Sequence, residues 1–598
     1  MMKIAFRTLS LLLVVLTSCN QSQKSNTEQM DQSAAIKTLF QNYQEARMKI
    51  SPLEATFQGD NRYNNVLPND ISQAYRESLR IFFKSYLDSL AKFNPDNLNE
   101  SDRYSFEILQ YEMETSLKGL EFKDYLMPIN QFTSLTLVFG QLGTGQGAQP
   151  FLTPSDYENW LGRVNGFNVW CDTAIQNMKQ GIQEGIVQNK TLMERVLPQL
   201  KDMLEKDVKK SIFYMPITNM PADFSATDKA RLDSLYQTAI LTQIIPSYQK
   251  LYDFIKEEYI PHCQEKAGIG NLPGGKEMYG YLAHLWTTTE LTPDSIFNLG
   301  QSEVKRLRGE MEKVMIETGY KGDLRSFFAY LNADRKFFPF TTAAEVLDSF
   351  HNIHEQMKPQ LSKLFNKVPK TKFEIRETEK FREASASAEY SQGTPDGSRP
   401  GIFYTPIPDP KKFNSFGMED LFLHEAIPGH HYQISLAQEN DSLPVFRRFL
   451  TYGAYVEGWA LYTESLGKEL GLYKDPYQYF ASLSEEMHRA LRLVVDVGMH
   501  LKGWTREQAI EFSLENEGES KEAITSEVER YMAYPGQALC YKVGQLKIRE
   551  LRHKAEQELG ERFNLSSFHD AVLDSGGLPL SVLEQKINRW IETQKKNV

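Results

Sequence analysis

Apolar positions recur three and four apart through most of this chain. Over residues 157–206, Trp160, Val164, Phe167, Trp170 and Ile175, then Leu192, Val196, Leu200 and Met203, form one stripe with charged residues between them. That is the period of a helix burying one face. The same texture predicts amphipathic helices across residues 36–266 and again from residue 418 almost to the end, broken at Asn-Glu-Gly, Tyr-Pro-Gly and Ser-Gly-Gly. The glycine-rich segment at 141–150 reads as a connecting loop, because a phosphate loop would end in Gly-Lys-Ser/Thr. A second section opens near residue 271. It has a turn at Pro273-Gly274-Gly275 and a helix start at Thr292-Pro293, where Thr caps and Pro fills the first turn. Helices then run to about residue 367. At 373–404 the pattern changes to alternating residues with Pro-Asp-Gly and Arg-Pro-Gly turns and the run Gly401-Ile402-Phe403-Tyr404, which predicts a small β hairpin or sheet. The expected fold is mostly α, with an N-terminal helical region (36–266) and a second helical region (267–598) packed as one compact unit.

The first residues carry an address rather than structure. Lys3 and Arg7 precede an apolar run at 11–16 that is too short to cross a bilayer, so residues 1–18 read as a cleaved signal peptide. Leu16-Thr17-Ser18-Cys19 resembles the lipobox of bacterial lipoproteins, which makes Cys19 the lipidated residue and membrane anchor. Residues 19–35 are polar and read as a flexible tether. Asn20, with no acidic run after Cys19, favours an outer-membrane anchor facing the periplasm. The remaining cysteines, Cys171, Cys263 and Cys540, are too scattered for a disulfide framework or a Cys-x-x-Cys metal site. A formal charge of −11 without a basic cluster argues against nucleic acid as a partner.

The chemistry concentrates at residues 421–433, LFLHEAIPGHHYQ, where His424, Glu425, His430 and His431 interrupt an apolar run. Buried imidazoles and carboxylates each need a partner. Two histidines on one helix share a metal at a spacing of four, since positions i and i+4 lie on one face. Here Pro428 and Gly429 lengthen that spacing. A bulge at these two residues would return His430 to the face of His424, because Pro removes a donor and Gly tolerates unusual dihedrals. His431 would lie too far along the helix to join, and is expected to support the site or touch substrate. A third ligand is expected from EGWALYTE, where Glu457 sits among apolar residues with Glu464 seven positions on, along the same face. Downstream, His488, Arg492, Asp496 and His500 form the only polar stripe of an apolar helix. It reads either as a structural Arg492–Asp496 pair, or as Asp496 orienting His500 to donate to an oxyanion. Arg530, Tyr534, Tyr541 and Tyr404 are candidates for substrate or transition-state contacts.

HEAIPGHHYQ, EGWALYTE, RLVVDVGMHLKGW and YPGQALCYKVG, with DGSRPGIFY and NLPGGKEMYGYL, closely resemble the bacterial domain of unknown function 885 family from about residue 36 onward. That family is similar in turn to the gluzincin metallopeptidases, through His-Glu followed by Gly-His and through Glu-Gly-x-Ala-x-Tyr. The resemblance implies a large helical scaffold with a deep cleft, one zinc ion held by His424, His430 and Glu457, and Glu425 as general base. The expectation is a peptidase acting on short peptides by metal-activated water, with His500 or Tyr541 stabilising the oxyanion and the strand at 402–404 aligning the peptide. The alternatives are a non-catalytic lipoprotein binding peptide or another ligand in the same cleft, and a metal-dependent hydrolase of a different amide or ester.

Overall fold

The computed structural model describes residues 32–379, 387–394, 397 and 399–596. The signal segment, Cys19 and most of the tether lie outside the described residues. Residues 32–35, expected in the tether, already belong to the first helix, α1 (residues 32–50). No helix among the described residues is long and apolar enough to cross a membrane.

Two large hydrophobic cores and a minor third cluster span the described residues. The larger one joins α1 and α2 (Glu100–Gly119) to most segments from residue 269 onward: Ile36, Phe40 and Ile108 share it with Phe446, Tyr455 and Ile591, while Leu192, Val495, Met499 and Val528 belong to the third cluster. Phe40 lies 5.5 Å from Phe446, and Arg447, fully buried, donates to the Ser105 hydroxyl at 3.1 Å. The smaller core occupies roughly residues 126–260 around α3 (Pro154–Glu184), where Phe139 stacks between Trp160 and Phe167. Helical periodicity names the buried face of each helix but not the helix it meets, so the amphipathic run from 36 to 266 concealed this division.

The larger body is built on α4 (Pro293–Glu317), α5 (Ala343–Leu364), α6 (Met418–Glu425), α7 (His430–Gln438), α8 (Gly453–Glu464), α9 (Pro476–Leu501), α10 (Lys521–Ala533) and α11 (Cys540–Leu559). Gly458 of α8 faces Gly544 of α11. A Cβ on Gly544 would fall 1.9 Å from the Ala454 carbonyl oxygen, and one on Gly458 would fall 2.5 Å from the Gly544 Cα. The two backbones therefore touch, which explains the glycine beside Glu457. A buried charge cluster fixes α4, α9 and α11 in register. Lys542, fully buried, reaches Glu486 at 2.5 Å and Glu303 at 3.0 Å, while Arg306 holds Glu486 at 2.7 Å. Each charge is paired, as burial requires.

The expected small β element is a three-stranded sheet of β1 (Phe373–Glu377), β2 (Glu389–Ser391) and β3 (Gly401–Thr405) in the order β1-β3-β2. β2 and β3 are antiparallel, with Tyr390 opposite Phe403. β1 runs parallel to β3, with Ile375 opposite Phe403. This corrects one expectation: β3 is the central strand and has no free edge to offer a peptide. The outer edges belong to β1 and β2.

Candidate metal centre

The sequence expected one helix with a bulge, but α6 stops at Glu425 and α7 starts at His430. Ala426 leaves the helical region, the Ile427–Pro428 peptide is cis, and Gly429 folds the chain back over the last turn of α6. A Cβ on Gly429 would sit 1.9 Å from the His424 carbonyl oxygen and 2.4 Å from that of Leu423, so only glycine fits. The detour is tied to α8: the Trp459 indole donates to the Pro428 carbonyl at 2.9 Å and the Thr463 hydroxyl donates to the Leu423 carbonyl at 2.8 Å. The amide of His431 closes back on the Ala426 carbonyl at 3.1 Å. These contacts bring His430 opposite His424, their ring centroids 4.9 Å apart and their planes perpendicular.

Glu457 of α8 completes the group. Its Oε2 is 3.5 Å from His424 Nε2 and 3.8 Å from His430 Nε2, and one donor atom from each residue lies within 4.8 Å of the others. Two imidazoles and a carboxylate make a donor set that suits zinc. Behind the site, Glu464 approaches His424 Nδ1 at 2.6 Å and the pair is buried. A carboxylate on the far nitrogen fixes the ring and its tautomer, as it does behind metal-bound histidines. Among the described residues His430 has no equivalent support: its Nδ1 is buried without a hydrogen bond there.

The charges at the site are interdependent. Burial acts to lower the His424 pKa, but its bonds to Glu457 and Glu464 prevail and push it up to about 10. His430, buried with less compensation, falls to about 4 and stays neutral. Burial would raise Glu457, yet the bond to His424 and the charges of His430, His424 and Arg492 hold it down at about 2. Glu425 is pushed up to about 7, first by burial and then by the charge of Glu457, with His424 and Arg489 opposing. The Tyr390 backbone amide also acts to lower it, so β2 approaches Glu425.

His424 and Glu425 line a pocket of about 360 Å³, whose walls include Ala388, Thr405, Asp420, Leu421, Glu464, Glu485 and Arg489. Three of these residues were missed in the sequence. Asp420 lies four residues before His424, a helical spacing that could have flagged it. It is buried, accepts from the Tyr473 hydroxyl at 3.1 Å, and is driven well above the usual carboxylate range by burial and by Glu464. Arg489 and Glu485 pair one turn apart on α9. Trp459 carried no chemical signal, because its role depends on where Pro428 goes.

The stripe on α9 corrects a second expectation. His500 receives the Ile269 amide at Nδ1 (3.1 Å) and donates from Nε2 to the Tyr531 carbonyl (3.1 Å). It also stacks on Tyr279 at 4.9 Å and is buried. Both ring nitrogens are committed to backbone, so His500 has no donor for an oxyanion. Asp496 orients neither His500 nor Arg492. It takes the Tyr279 hydroxyl at 2.5 Å and the Gly536 amide at 3.1 Å, and burial pushes it up to about 7. Arg492 instead bonds the Tyr531 hydroxyl, Glu527 and His488, each at 3.1 Å, and lies over the Tyr541 ring at 4.5 Å. The alternation of four was real, but the helices packed around it chose the partners.

His431 turns away from the centre toward the sheet, where its Nδ1 meets the Tyr390 hydroxyl at 2.9 Å and its ring packs on Phe373. Its role is support for β2. Tyr404 sits on β3 in hydrogen-bonding contact with Arg376. Arg530 holds Glu527 at 2.9 Å and Gln537 at 2.6 Å, and Tyr534 packs edge-on against Trp286. Tyr541 is partly exposed, and burial of its hydroxyl, followed by the charge of Glu457, raises its pKa.

A mostly helical body that gathers two histidines and a glutamate, with a second carboxylate, Glu425, beside them, defines a candidate metal-binding protein. The chain belongs to the family described as "Bacterial protein of unknown function (DUF885)", which matches residues 52–587. No curated protein matches it. Among solved structures, a candidate lipoprotein from Colwellia psychrerythraea is 27% identical, with a TM-score of 0.85 over 94% of this chain and 100% of that one. A candidate lipoprotein of unknown function from Shewanella oneidensis, 20% identical, shares the fold with a TM-score of 0.71 over 92% of this chain and 98% of that one.

Proposed function

We propose that the protein is a zinc-dependent hydrolase, specifically a peptidase of short peptides, with a gluzincin-like arrangement of His424, His430 and Glu457. The observation that carries this reading is the convergence of those three donors, with Glu464 behind His424 and with His424 and Glu425 lining a pocket. His424, His430 and Glu457 would hold the zinc ion, which would lower the pKa of a water toward about 7 and polarise a carbonyl. Glu425, poised near neutrality, takes a proton from the attacking water and returns it to the leaving amine. Tyr541 is the remaining donor for the oxyanion, since His500 is committed elsewhere. A peptide pairs along the outer edge of β2, which runs past Glu425. The chain is exported and lipid-anchored at Cys19 in the outer membrane, facing the periplasm. Its Leu-Thr-Ser-Cys motif and the candidate lipoproteins among its structural relatives support this location.

Metal analysis and peptide digestion test the reading. The purified mature protein is expected to retain about one zinc per chain, lost in His424→Ala and Glu457→Gln. Glu425→Gln is expected to keep zinc while turnover of a short-peptide mixture, followed by mass spectrometry, falls about 10²- to 10⁴-fold. Protein that holds no metal under any loading condition rules the hydrolase out.

A further inference from the structure

Two buried side-chain atoms of α7 have no hydrogen-bond partner among the described residues: His430 Nδ1 and Gln433 Oε1. The neighbouring polar groups of the helix are committed elsewhere. His431 Nδ1 meets the Tyr390 hydroxyl at 2.9 Å, and the Ser435 hydroxyl lies 3.4 Å from both, so these two residues serve the sheet. His430 and Gln433 are themselves buried. Three residues apart, they share one face of α7, with Cβ atoms about 5–6 Å from each other. A helical side chain leans back over the turn before its own Cα, which carries the Gln433 arm toward His430. The backbone amide of Gln433 donates to the Gly429 carbonyl at 3.2 Å, so this residue also closes the first turn of α7 onto the Pro428–Gly429 detour.

The two histidines of the centre differ in what stands behind them. The Nε2 atoms of both rings face Glu457, at 3.5 and 3.8 Å from its Oε2. A ring that gives Nε2 to a metal carries its proton on Nδ1, and that N–H needs an acceptor. For His424 the acceptor is Glu464, at 2.6 Å. For His430 a buried N–H with no acceptor would be costly, and so is the buried Gln433 oxygen with no donor. One hydrogen bond between them removes both costs.

We propose that Gln433 is the positioning residue of His430: its Oε1 accepts the Nδ1–H of the metal-bound ring and holds that ring toward Glu457, as Glu464 does for His424. This rests on the reading of His424, His430 and Glu457 as a metal centre. Gln433 touches neither metal nor substrate and acts through His430 alone.

Cobalt(II)-loaded protein supplies the test. Each histidine bound through Nε2 contributes one solvent-exchangeable Nδ1–H proton, which the unpaired electrons shift far outside the ordinary proton spectrum. Wild type is expected to show two such signals. Glu464→Gln should move one, and Gln433→Leu should move the other and speed its exchange with water. Zinc affinity, by chelator competition, is expected to fall about 10- to 100-fold in Gln433→Leu. Gln433→Glu restores an acceptor, so it should bind zinc within about threefold of wild type and shift the same signal as Gln433→Leu. Metal-free melting curves verify folding, and the Glu variant carries the test where the Leu variant does not fold. If folded Gln433→Leu leaves both signals unchanged, or if Gln433→Glu binds zinc as weakly as Gln433→Leu or leaves the signal in place, the role of Gln433 is overturned and the centre stands. Wild-type protein that takes up neither metal overturns the centre and this proposal together.

Discussion

Replacing Glu464 by Gln removes one charge and almost no volume from the support of His424. The contact is 2.6 Å, with side chains only 7% and 3% exposed, so water screens it little. A charge-assisted hydrogen bond contributes about 1.5–3 kcal/mol and a neutral one about 0.5–1.5 kcal/mol. The Gln oxygen still accepts from Nδ1, so the variant loses roughly the difference, about 1–1.5 kcal/mol. That corresponds to about tenfold weaker zinc binding, the low end of the 10- to 100-fold expected for partners of this kind. Glu464→Ala loses the whole bond and leaves a buried Nδ1–H unmet, which predicts about 100-fold. Zinc affinity is measured by competition with a chromophoric chelator at pH 7.5, with metal-free melting curves to verify folding. If both folded variants bind zinc within twofold of wild type, Glu464 does not orient a ligand and the proposed centre is wrong.

Gly429→Ala should collapse the centre, because the new methyl must displace the last turn of α6; a loss of at least 1–3 kcal/mol on denaturant unfolding, with zinc affinity falling in parallel, is expected. Trp459→Phe leaves the Pro428 carbonyl unpaired and should cost about 1–3 kcal/mol; an unchanged denaturation midpoint would show that the detour does not need this tie. His500→Ala strands the Ile269 amide and the Tyr531 carbonyl, so stability should fall by about 3–5 kcal/mol while kcat of the folded protein stays within about threefold. A large loss of kcat at unchanged stability would return His500 to the oxyanion. Asp496 has its folded pKa raised to about 7 from an unfolded value near 3.8, so its contribution is full below about pH 4 and is lost as pH rises through 7. Asp496→Asn should therefore flatten the decline of unfolding free energy between pH 4 and 7. An identical pH profile in both proteins would refute that assignment.

The sequence by itself determined the helical class, the small β element and the residue types that carry the chemistry. Periodicity does this directly, since burying one face of a helix demands apolar residues three and four apart. His424, Glu425, His430 and Glu457 stood out because charged and imidazole groups in apolar runs are costly unless something uses them. What it left open was who meets whom. The stripe of four on α9 was legible, yet Asp496 bonds Tyr279 and Gly536, and His500 bonds two backbone groups, because α9 is covered on several sides by segments far away in sequence. Likewise, periodicity did not say that α1 and α2 bury their apolar faces against the C-terminal half. Pro428 and Gly429 showed that the metal motif was lengthened; the tertiary structure alone decided how. Trp459 and Thr463 on a separate helix grip the carbonyls released by the broken α6, and that grip, absent from any local spacing, turns His430 toward His424.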